Sequence, residues 1–482
     1  MKIIISAISV FCFLQLYCGT SDAYASASPD SLNLTLNDVI SLAQEQSPAA
    51  QSAKHTYLAA EWQYKYYKAN YLPSLTLTSS PFFNHSINKI TLNDGTSAFV
   101  SQNQLSTDLT LQISQNIAPT GGTIFVNSSL ERNDEFGQNT SSFSSRPITI
   151  GYNQQIFGYN SLKWDRKIEP LKYKEAKKDY NEAMQLVAAK ACQYFFEMIE
   201  AQTNLEMARH NLANADTLYR MAEGRYKIGT INQNDMLQLE VNKLNEETAC
   251  MDAEVQVQEQ TQLLTSYLGL NGYRHLSLVL PENVPEKEIA VGRALDLAIE
   301  NGADYDYFRR MRLEAESNVA QAKANSALKA DLYLRFGLSQ TGKNLSSAYS
   351  KPMDQEYASL TLSLPILDWG RGKGRVKVAQ SQLDLANTQA DQGITDFMQN
   401  ITKLVLQFNM QSRKVNVAGR TSQLATYRYE IARRLYISQR NTILDLNVAL
   451  SEKDTAKRAY ISSIKTYWML YYTIRSIIGN DI

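Results

Sequence analysis

Cysteine, histidine and proline are scarce in this sequence. Its 482 residues include four cysteines, four histidines and eleven prolines. Cys12 and Cys18 lie in an apolar N-terminal segment, which leaves only Cys192 and Cys250, too few for a disulfide framework. No two histidines have the spacing of metal ligands, and neither a phosphate-binding loop nor a nucleophile elbow occurs. We therefore expect no enzymatic activity, no metal centre and no cofactor.

An excess of charge and long apolar runs are missing as well. The 48 basic residues balance the 48 acidic ones, so the composition does not favour nucleic acid as a partner. Beyond the N-terminus there is no run of about 18 apolar residues, the minimum for a membrane helix. The most apolar stretch, Trp468 to Ile478, is short and contains Arg475. If the processed chain spans a membrane, we expect it to do so with strands.

Residues 1–25 have the pattern of a secretory signal peptide. Lys2 supplies positive charge, an apolar run follows from Ile3 to Leu16, and small residues then permit cleavage after Ala25 or Ala27. Cys18 follows Tyr17, whereas a lipid-modified cysteine normally follows a small residue. We therefore expect an exported protein without a lipid anchor.

The stretch from Ile156 to Gly269 occurs twice, with a constant separation of 210 residues between the copies. Matching residues are Ile156 and Ile366, Ala222 and Ala432, Tyr226 and Tyr436, Asp235 and Asp445, Lys243 and Lys453, Ala249 and Ala459, Ser266 and Ser476, and Gly269 and Gly479. A constant separation is expected of long helices, because an insertion would rotate every residue after it. Internal duplication is therefore the main feature of the architecture.

Apolar residues repeat every seven positions within this stretch. The outgoing half has the series Met184, Val187, Ala191, Tyr194, Met198, Ala201, Leu205, Ala208, Leu212 and Ala215, and the return half has a weaker series of Leu237, Val241, Leu244, Met251 and Val255. Such a seam is typical of helices that pack side by side in a left-handed supercoil. An ordinary coiled-coil hairpin without a transport role explains the pattern equally well.

A second correspondence extends the duplication towards the N-terminus. Lys68-Ala69-Asn70 recurs 255 residues later as Lys323-Ala324-Asn325. We therefore predict two repeats: 30–280, with helices over 35–71, a β insert over 74–156 and a long helical hairpin over 160–268; and 291–482, with helices over 291–329, a β insert over 331–366 and a hairpin over 370–479. A proline-containing linker, 281–290, joins them. Since the two separations are 255 and 210, the first insert is longer by 45 residues.

The two inserts alternate apolar and polar residues, as membrane strands do. The apolar positions are Leu75 and Leu77, Leu109, Leu111 and Ile113, Ile124 and Val126, Ile148, Ile150 and Tyr152 in the first insert, and Leu332, Leu334, Phe336, Leu338, Leu360, Leu362 and Leu364 in the second. The first insert forms either two strands with a long loop or four strands. A small soluble sheet would show the same alternation, but export and the symmetric placement of the inserts argue against it.

Four motifs resemble the TolC family of outer-membrane efflux proteins, the outer membrane factors. They are the opening Leu34-Thr35-Leu36 with Ser47-Pro48, the stretch Ala69-Asn70-Tyr71-Leu72-Pro73-Ser74-Leu75, the junction Leu362-Ser363-Leu364-Pro365-Ile366-Leu367-Asp368-Trp369-Gly370-Arg371-Gly372, and the turn Arg225-Tyr226-Lys227-Ile228-Gly229-Thr230-Ile231. Together they cover nearly the whole processed chain, and the duplication is itself a feature of that family.

The resemblance implies a mostly helical fold with a membrane β-barrel portion. It implies a homotrimer in the outer membrane of a Gram-negative bacterium, extending into the periplasm. Each repeat would contribute strands to one β-barrel and a long hairpin to one α-barrel. Four strands per protomer would give a barrel of twelve strands and six would give eighteen; the sequence leaves both open. The implied partners are outer-membrane lipid, a periplasmic adaptor protein and an inner-membrane transporter of the RND, ABC or MFS class.

The resemblance also indicates where functional residues lie. Relatives receive the adaptor at the hairpin turns, which makes Gly229, Thr230, Gln439 and Arg440 candidates for docking. The stretch Thr442-Ile443-Leu444-Asp445-Leu446 resembles the one that carries an acidic ring at the closed pore, so Asp445, and less directly its repeat partner Asp235, are gate candidates. Helix capping is the alternative role for both aspartates. At the second turn Gln439 stands where the family has glycine, which puts the geometry of that turn in doubt.

The function that this pattern favours is an outer-membrane channel of a tripartite efflux or type I secretion system. A periplasmic adaptor and an exported structural coiled-coil protein are the alternatives. An adaptor normally has one hairpin flanked by compact β domains, which fits two hairpins and two inserts poorly. The sequence does not identify the substrate, the inner-membrane transporter or the resting state of the turns.

Overall fold

A computed structural model describes residues 31–91, 95–137, 139–270, 275–281, 284–438 and 440–479. The predicted signal peptide and its cleavage site lie outside the described residues. Two compact units are present. One holds the described residues up to Val39 together with Glu197–Pro281, and the other holds Ile40–Phe196 together with the described residues from 284 onwards.

The described residues form eight α-helices, four in each half of the chain. The first half contains α1 (Leu36–Gln46), α2 (Pro48–Ala69), α3 (Ser161–Lys227) and α4 (Gln233–Leu268), and the second contains α5 (Val291–Asn301), α6 (Ala303–Ser326), α7 (Arg371–Ile437) and α8 (Ile443–Ile478). Helices α3 and α7 each have 67 residues, which corresponds to a length on the order of 100 Å. Pro170 lies inside α3 and does not delay its start.

Eight strands accompany these helices. They are β1 (Ser31–Leu34), β2 (Ser74–Thr91), β3 (Ser97–Ile117), β4 (Gly122–Glu135), β5 (Thr140–Ile156), β6 (His275–Leu278), β7 (Lys329–Gly342) and β8 (Met353–Ser363). Strands β1 and β6 form a small parallel pair. The other six form one antiparallel sheet in the order β2-β3-β4-β5-β7-β8. The first insert therefore contains four strands rather than two.

Contacts between tyrosines hold α2 against α3. The hydroxyls of Tyr57 and Tyr173 lie 3.1 Å apart, and the rings of Tyr64 and Tyr173 stack with their centroids 4.6 Å apart. The hydrogen bond to Tyr173 and burial raise the pKa of Tyr57 to about 12. Ser47 caps α2 by accepting a hydrogen bond from the Ala50 amide at 3.1 Å, and Pro48 occupies the first helical position, where no amide hydrogen is needed. These tyrosines serve helix packing.

Six of the ten positions in the outgoing seam of the first hairpin are buried as predicted, and the other four are half-buried. Val187, Ala191, Met198, Ala201 and Ala215 are all at most 6% exposed. Two ion pairs join α3 to α4: Arg209 to Glu254 at 2.9 Å and Asp216 to Lys243 at 2.7 Å.

The return seam does not pack within the hairpin, contrary to the prediction. Leu237, Val241, Leu244, Met251 and Val255 are between 45 and 57% exposed. Another face of α4 is buried instead, at Leu239, Ala253 and Leu264. Helix α4 therefore carries two seams with a heptad spacing. The seam predicted from the sequence is exposed, and the other seam is buried.

Helices α7 and α8 pack around a core of aromatic and branched residues. Phe408 and Tyr467 are buried with their ring centroids 5.1 Å apart, and Ile461 and Ile464 lie on the same helix as Tyr467. The Tyr467 hydroxyl also donates to the Pro285 carbonyl at 2.7 Å. The linker between the repeats is thereby held against this hairpin.

No helix in the described part of the chain has both the length and the apolar character to cross a membrane.

Candidate functional sites at the hairpin turns and on the sheet

The turn between α3 and α4 is built around Gly229. Its φ of +75° lies in the left-handed region, which glycine adopts without steric strain. The Gly229 amide donates to the Tyr226 carbonyl at 2.9 Å, and the Thr230 amide donates to the Arg225 carbonyl at 2.9 Å. The Thr230 hydroxyl also donates to the Arg225 carbonyl, at 3.0 Å. Three hydrogen bonds therefore satisfy the end of α3 and fix the turn.

The turn between α7 and α8 closes with the equivalent hydrogen bond. The Arg440 amide donates to the Leu435 carbonyl at 2.9 Å, the repeat counterpart of the bond from Thr230 to Arg225. The Ser438 hydroxyl adds a bond to the same carbonyl at 3.0 Å. Gln439 lies outside the described residues. Its described neighbours, Ser438 and Arg440, both donate to the Leu435 carbonyl and so close this turn.

Both candidate gate aspartates sit in the first turn of their helices. Asp445 forms a capping box with Thr442: the Asp445 amide donates to the Thr442 hydroxyl oxygen at 3.2 Å, and the Thr442 amide donates to the Asp445 carboxylate at 3.4 Å. The Thr442 hydroxyl also donates to that carboxylate, at 2.6 Å. The Asp235 amide donates to the side-chain oxygen of Asn232 at 2.8 Å. The N-cap residues are thus Asn232 and Thr442, not the aspartates, and both carboxylates are exposed to solvent.

The sheet carries one apolar row across five of its strands. Leu75, Ile113, Val126, Ile150 and Phe336 stand opposite one another in successive strands. They are 36 to 64% exposed in the single chain. A soluble protein rarely leaves so extended an apolar surface uncovered. This face therefore needs lipid or another apolar cover.

The neighbouring row points to the other face of the sheet and is polar. Thr76, Gln112, Asn127, Thr149 and Gly337 are paired in the same way. Apolar and polar rows alternate as they do in membrane strands, with one face suited to lipid and the other to water.

The polar face also holds an aromatic cluster. The rings of Phe125 and Tyr333 stack at 6.1 Å, and the Arg335 guanidinium lies 5.5 Å from the Tyr357 ring centroid. Gly151 faces Phe125 across the strands, and a Cβ there would collide with that ring. Glycine at position 151 is therefore required for Phe125 to lie flat against β5.

A group of charged residues joins α3 to α6. Arg310 binds Glu175 through two bonds, Nε to Oε2 at 2.6 Å and Nη2 to Oε1 at 2.8 Å, and also reaches Glu314 at 3.0 Å. Burial and the charges of Asp304 and Asp179 raise the pKa of Glu182 to about 7. Burial and the charges of Glu175 and Asp304 raise the pKa of Asp179 to about 6. No local sequence pattern predicts this group, since its members on α3 and those on α6 are more than a hundred residues apart in the chain.

Metal ligands do not cluster in the described residues: no three His, Cys, Asp or Glu side chains there are placed to hold an ion.

The fold has several solved counterparts. CusC superposes with a TM-score of 0.66 at 14% identity, over 95% of this chain and 95% of that chain. The CmeC outer membrane channel of Campylobacter jejuni gives 0.66 at 15% identity, over 92% and 85%. The outer membrane protein VceC of Vibrio cholerae gives 0.63 at 16% identity, over 92% and 96%. No curated protein sequence matches the chain significantly.

The model of the outer membrane efflux protein family matches residues 39–270 and 311–466. With most of its length matched, the chain belongs to the outer membrane efflux protein family. Its place is the outer membrane of a Gram-negative bacterium, with extension into the periplasm. The predicted family, the mostly helical fold with a β portion and the location are confirmed. The roles of the hairpin-turn residues stay predictions.

Proposed function

We propose that the protein is the outer-membrane channel of a tripartite efflux or type I secretion system. Three copies form a passive conduit from the periplasm to the cell exterior, without chemistry of their own. An inner-membrane transporter of the RND, ABC or MFS class supplies the energy, coupled through a periplasmic adaptor protein.

The apolar face of the six-stranded sheet carries this proposal. Within the described residues, β2 and β8 are edge strands with one unpaired side each. Unpaired amides and carbonyls are not tolerated in lipid, because no water is present to bind them. A sheet with a lipid-facing surface and two open edges therefore requires further copies to close it.

The outward-facing seams of the long helices support the same assembly. On α4 the seam consists of Leu237, Val241, Leu244, Met251 and Val255, and on α7 a comparable stripe comprises Leu406, Met410, Val417 and Leu424, each 54% exposed or more. A seam of seven-residue period is completed by a second helix. Neighbouring copies supply those helices in a trimer.

The turns have two roles in this proposal. Gly229, Thr230, Gln439 and Arg440 present backbone and polar groups to the adaptor. Asp445, and less directly Asp235, contribute carboxylates near the periplasmic opening, where a ring of aspartates favours cations over anions.

Conductance of the purified protein in a planar bilayer tests the proposal. Trimers that run as heat-modifiable bands and pass ions would support it. A matched pair of variants tests the sheet itself: Leu111→Lys places charge on the apolar face, and Gln112→Lys places it on the polar face. Lysine facing lipid costs about 2–4 kcal/mol near the membrane centre. Leu111→Lys should therefore reduce membrane insertion, and Gln112→Lys should not.

Other results would favour the alternatives. A monomer in the soluble periplasmic fraction, unaffected by Leu111→Lys, would indicate an adaptor. An outer-membrane protein that never conducts, even with the turns loosened by glycine substitutions at Ser438 and Arg440, would indicate a structural coiled-coil protein.

A further inference from the structure

The duplication identifies two strands of the sheet that have no counterpart in the second repeat. Strands β2 and β7 follow the matching Lys-Ala-Asn motifs, β5 ends at Ile156, and β8 ends just before the matching Ile366. The β3–β4 hairpin lies between β2 and β5 and accounts for the longer first insert. The hairpin formed by Ser97–Ile117 and Gly122–Glu135 is therefore an addition to a two-strand unit.

The added hairpin is paired on both sides rather than laid over the sheet. Strand β2 pairs with β3 over the full length of β2, from Ser74 with Ser114 to Thr91 with Ser97. Strand β4 pairs with β5 from Thr123 with Asn153 to Glu135 with Thr140, interrupted by one bulge. If the hairpin were removed, β2 and β5 would have to pair directly. The hairpin is therefore part of the sheet.

The hairpin has the same lipid-facing pattern as the other strands. Leu109, Leu111 and Ile113 of β3 and Ile124 and Val126 of β4 lie on the apolar face and are 36 to 48% exposed. Gln112 and Asn127 lie opposite each other on the polar face. A hairpin placed inside a pore or above the membrane would not need an apolar face that continues the row through Leu75 and Ile150.

The apolar band runs diagonally across the six strands. From the row through Leu75 it extends on β2 to Leu77 and Phe83, away from α2, whereas on β8 it lies at Leu360 and Leu362, towards α7. This drift of about eight residues over five strand spacings corresponds to a tilt of roughly 45–50°, at ~3.4 Å per residue and ~4.8 Å between strands. Closed barrels have strands tilted by about 35–45°. All six strands, the hairpin included, follow this drift.

The two edges are suited to pair with a second copy of the chain. Because six is an even number, β8 of one copy and β2 of the next run antiparallel, and the alternation continues around a ring. Both strands place apolar side chains on the same face of the sheet.

We propose that the β3–β4 hairpin lies in the membrane wall, so that three copies of the six-stranded sheet form a barrel of eighteen strands. This inference rests on the proposed trimeric channel. Barrel diameter grows roughly in proportion to strand number, so the outer opening is about one and a half times as wide as that of a twelve-stranded barrel. Its lumen is lined by the row through Gln112 and Asn127 and suits large hydrated solutes.

Single cysteines on the hairpin test this placement in the full-length trimer. Cys250→Ser gives the background, and buried Cys192 is kept. Leu111→Cys and Val126→Cys are expected to face lipid, and Gln112→Cys and Asn127→Cys the lumen. Leu362→Cys and Thr361→Cys on β8 are the matched reference pair. Each protein is labelled with a bimane fluorophore in vesicles containing brominated lipid, and a membrane-impermeant maleimide reports access to water.

Several-fold stronger quenching at Leu111 and Val126 than at Gln112 and Asn127, as at Leu362 relative to Thr361, supports the eighteen-stranded wall. Quenching at Leu362 alone, with all four hairpin sites open to maleimide, overturns it and leaves a channel with four strands per protomer. Absence of quenching at every site, Leu362 included, overturns the proposed channel as well. An electron cryomicroscopy map of the trimer gives the strand number directly: eighteen supports the inference and twelve overturns it.

Discussion

At the scale of single residues, Asp445 takes part in hydrogen bonds that cap α8 and also exposes its carboxylate to solvent. Thr442 and Asp445 hold each other through reciprocal hydrogen bonds at the start of α8, and only one carboxylate oxygen takes part. A capping role and a gate role are therefore compatible for Asp445. The two roles can be separated because asparagine keeps a side-chain oxygen as acceptor and removes the charge.

We expect Asp445→Asn to change the cation preference of the channel and leave its stability nearly unchanged. In the proposed trimer, three Asp445 carboxylates form a ring at the opening and attract cations, whereas asparagine carries no charge. Single-channel reversal potentials in a salt gradient measure the change. Asp235→Asn is the matched comparison, since Asp235 holds the same position in the first repeat, and it should change the cation preference less. Equal selectivity in the wild type and Asp445→Asn would leave Asp445 with capping alone.

The ion pair between Arg310 and Glu175 should contribute far more to stability than the pair between Arg209 and Glu254. The first pair is doubly hydrogen-bonded with both side chains at most 17% exposed, and the second is at least half exposed. Glu175→Gln should lower the free energy of unfolding by about 2 kcal/mol, because it removes the carboxylate that accepts two hydrogen bonds from the largely buried Arg310 guanidinium and leaves only Glu314 as its counter-charge. Glu254→Gln should change it by about 0–1 kcal/mol. Urea denaturation followed by circular dichroism measures both, and equal effects would contradict this assignment.

At the scale of elements, α4 has two apolar seams on different faces. One seam, at Leu239, Ala253 and Leu264, is buried within the chain, and the other, which includes Leu244 and Met251, is exposed. In the proposed trimer, α4 has a neighbour on each side and needs a seam for each. The sequence pattern revealed only one of these seams, because the buried one is interrupted by Lys243 and Glu246.

Leu244→Lys should therefore weaken the trimer without unfolding the protomer. The substitution places a charge in a seam that a neighbouring copy covers in the proposed trimer, while contacts between α3 and α4 persist. The trimer fraction in detergent, measured by size-exclusion chromatography with light scattering, should fall. Asn245→Lys, also exposed but outside that seam, should leave the fraction unchanged. A full trimer yield for Leu244→Lys would show that no copy covers this face.

At the scale of the whole molecule, stability should depend on pH through the carboxyl group cluster of α3. Burial raises the pKa values of Glu182 to about 7 and of Asp179 to about 6 in the folded chain. Between the ordinary carboxyl pKa and these values, the folded state binds more protons than the unfolded state. The contribution of these two groups to the stability of the fold is therefore greatest below about pH 4, and it is lost as the pH rises through 6 and 7.

Glu182→Gln should stabilise the protein at pH 8 and have little effect at pH 5. The amide resembles the protonated acid that the fold prefers, and it removes the cost of a partly buried charge at pH 8. We expect a gain of about 1 kcal/mol after allowance for partial exposure. Thermal unfolding midpoints at both pH values measure it, with exposed Glu206→Gln as control. A gain of equal size at pH 5 and pH 8 would show that ionisation is not the cause.

The sequence by itself determined where the elements lie. The first long helix was expected over about 160–227 and runs from Ser161 to Lys227, and the first β insert was expected over 74–156 and is bounded by Ser74 and Ile156. Periods of seven and two are local properties of the chain, and the duplication shows each of them twice. The closing turn at Gly229 was also readable, because glycine at a helix end predicts a left-handed residue.

Only the tertiary structure decided which surfaces meet. It showed that the first insert has four strands in one sheet, that the exposed seam of α4 is the one the sequence displays more clearly, and that Arg310 reaches Glu175 on another helix. These are pairings between segments far apart in the chain. A local pattern indicates that a face is apolar or that a residue is charged, but it does not indicate which distant segment of the chain packs against that face or pairs with that residue.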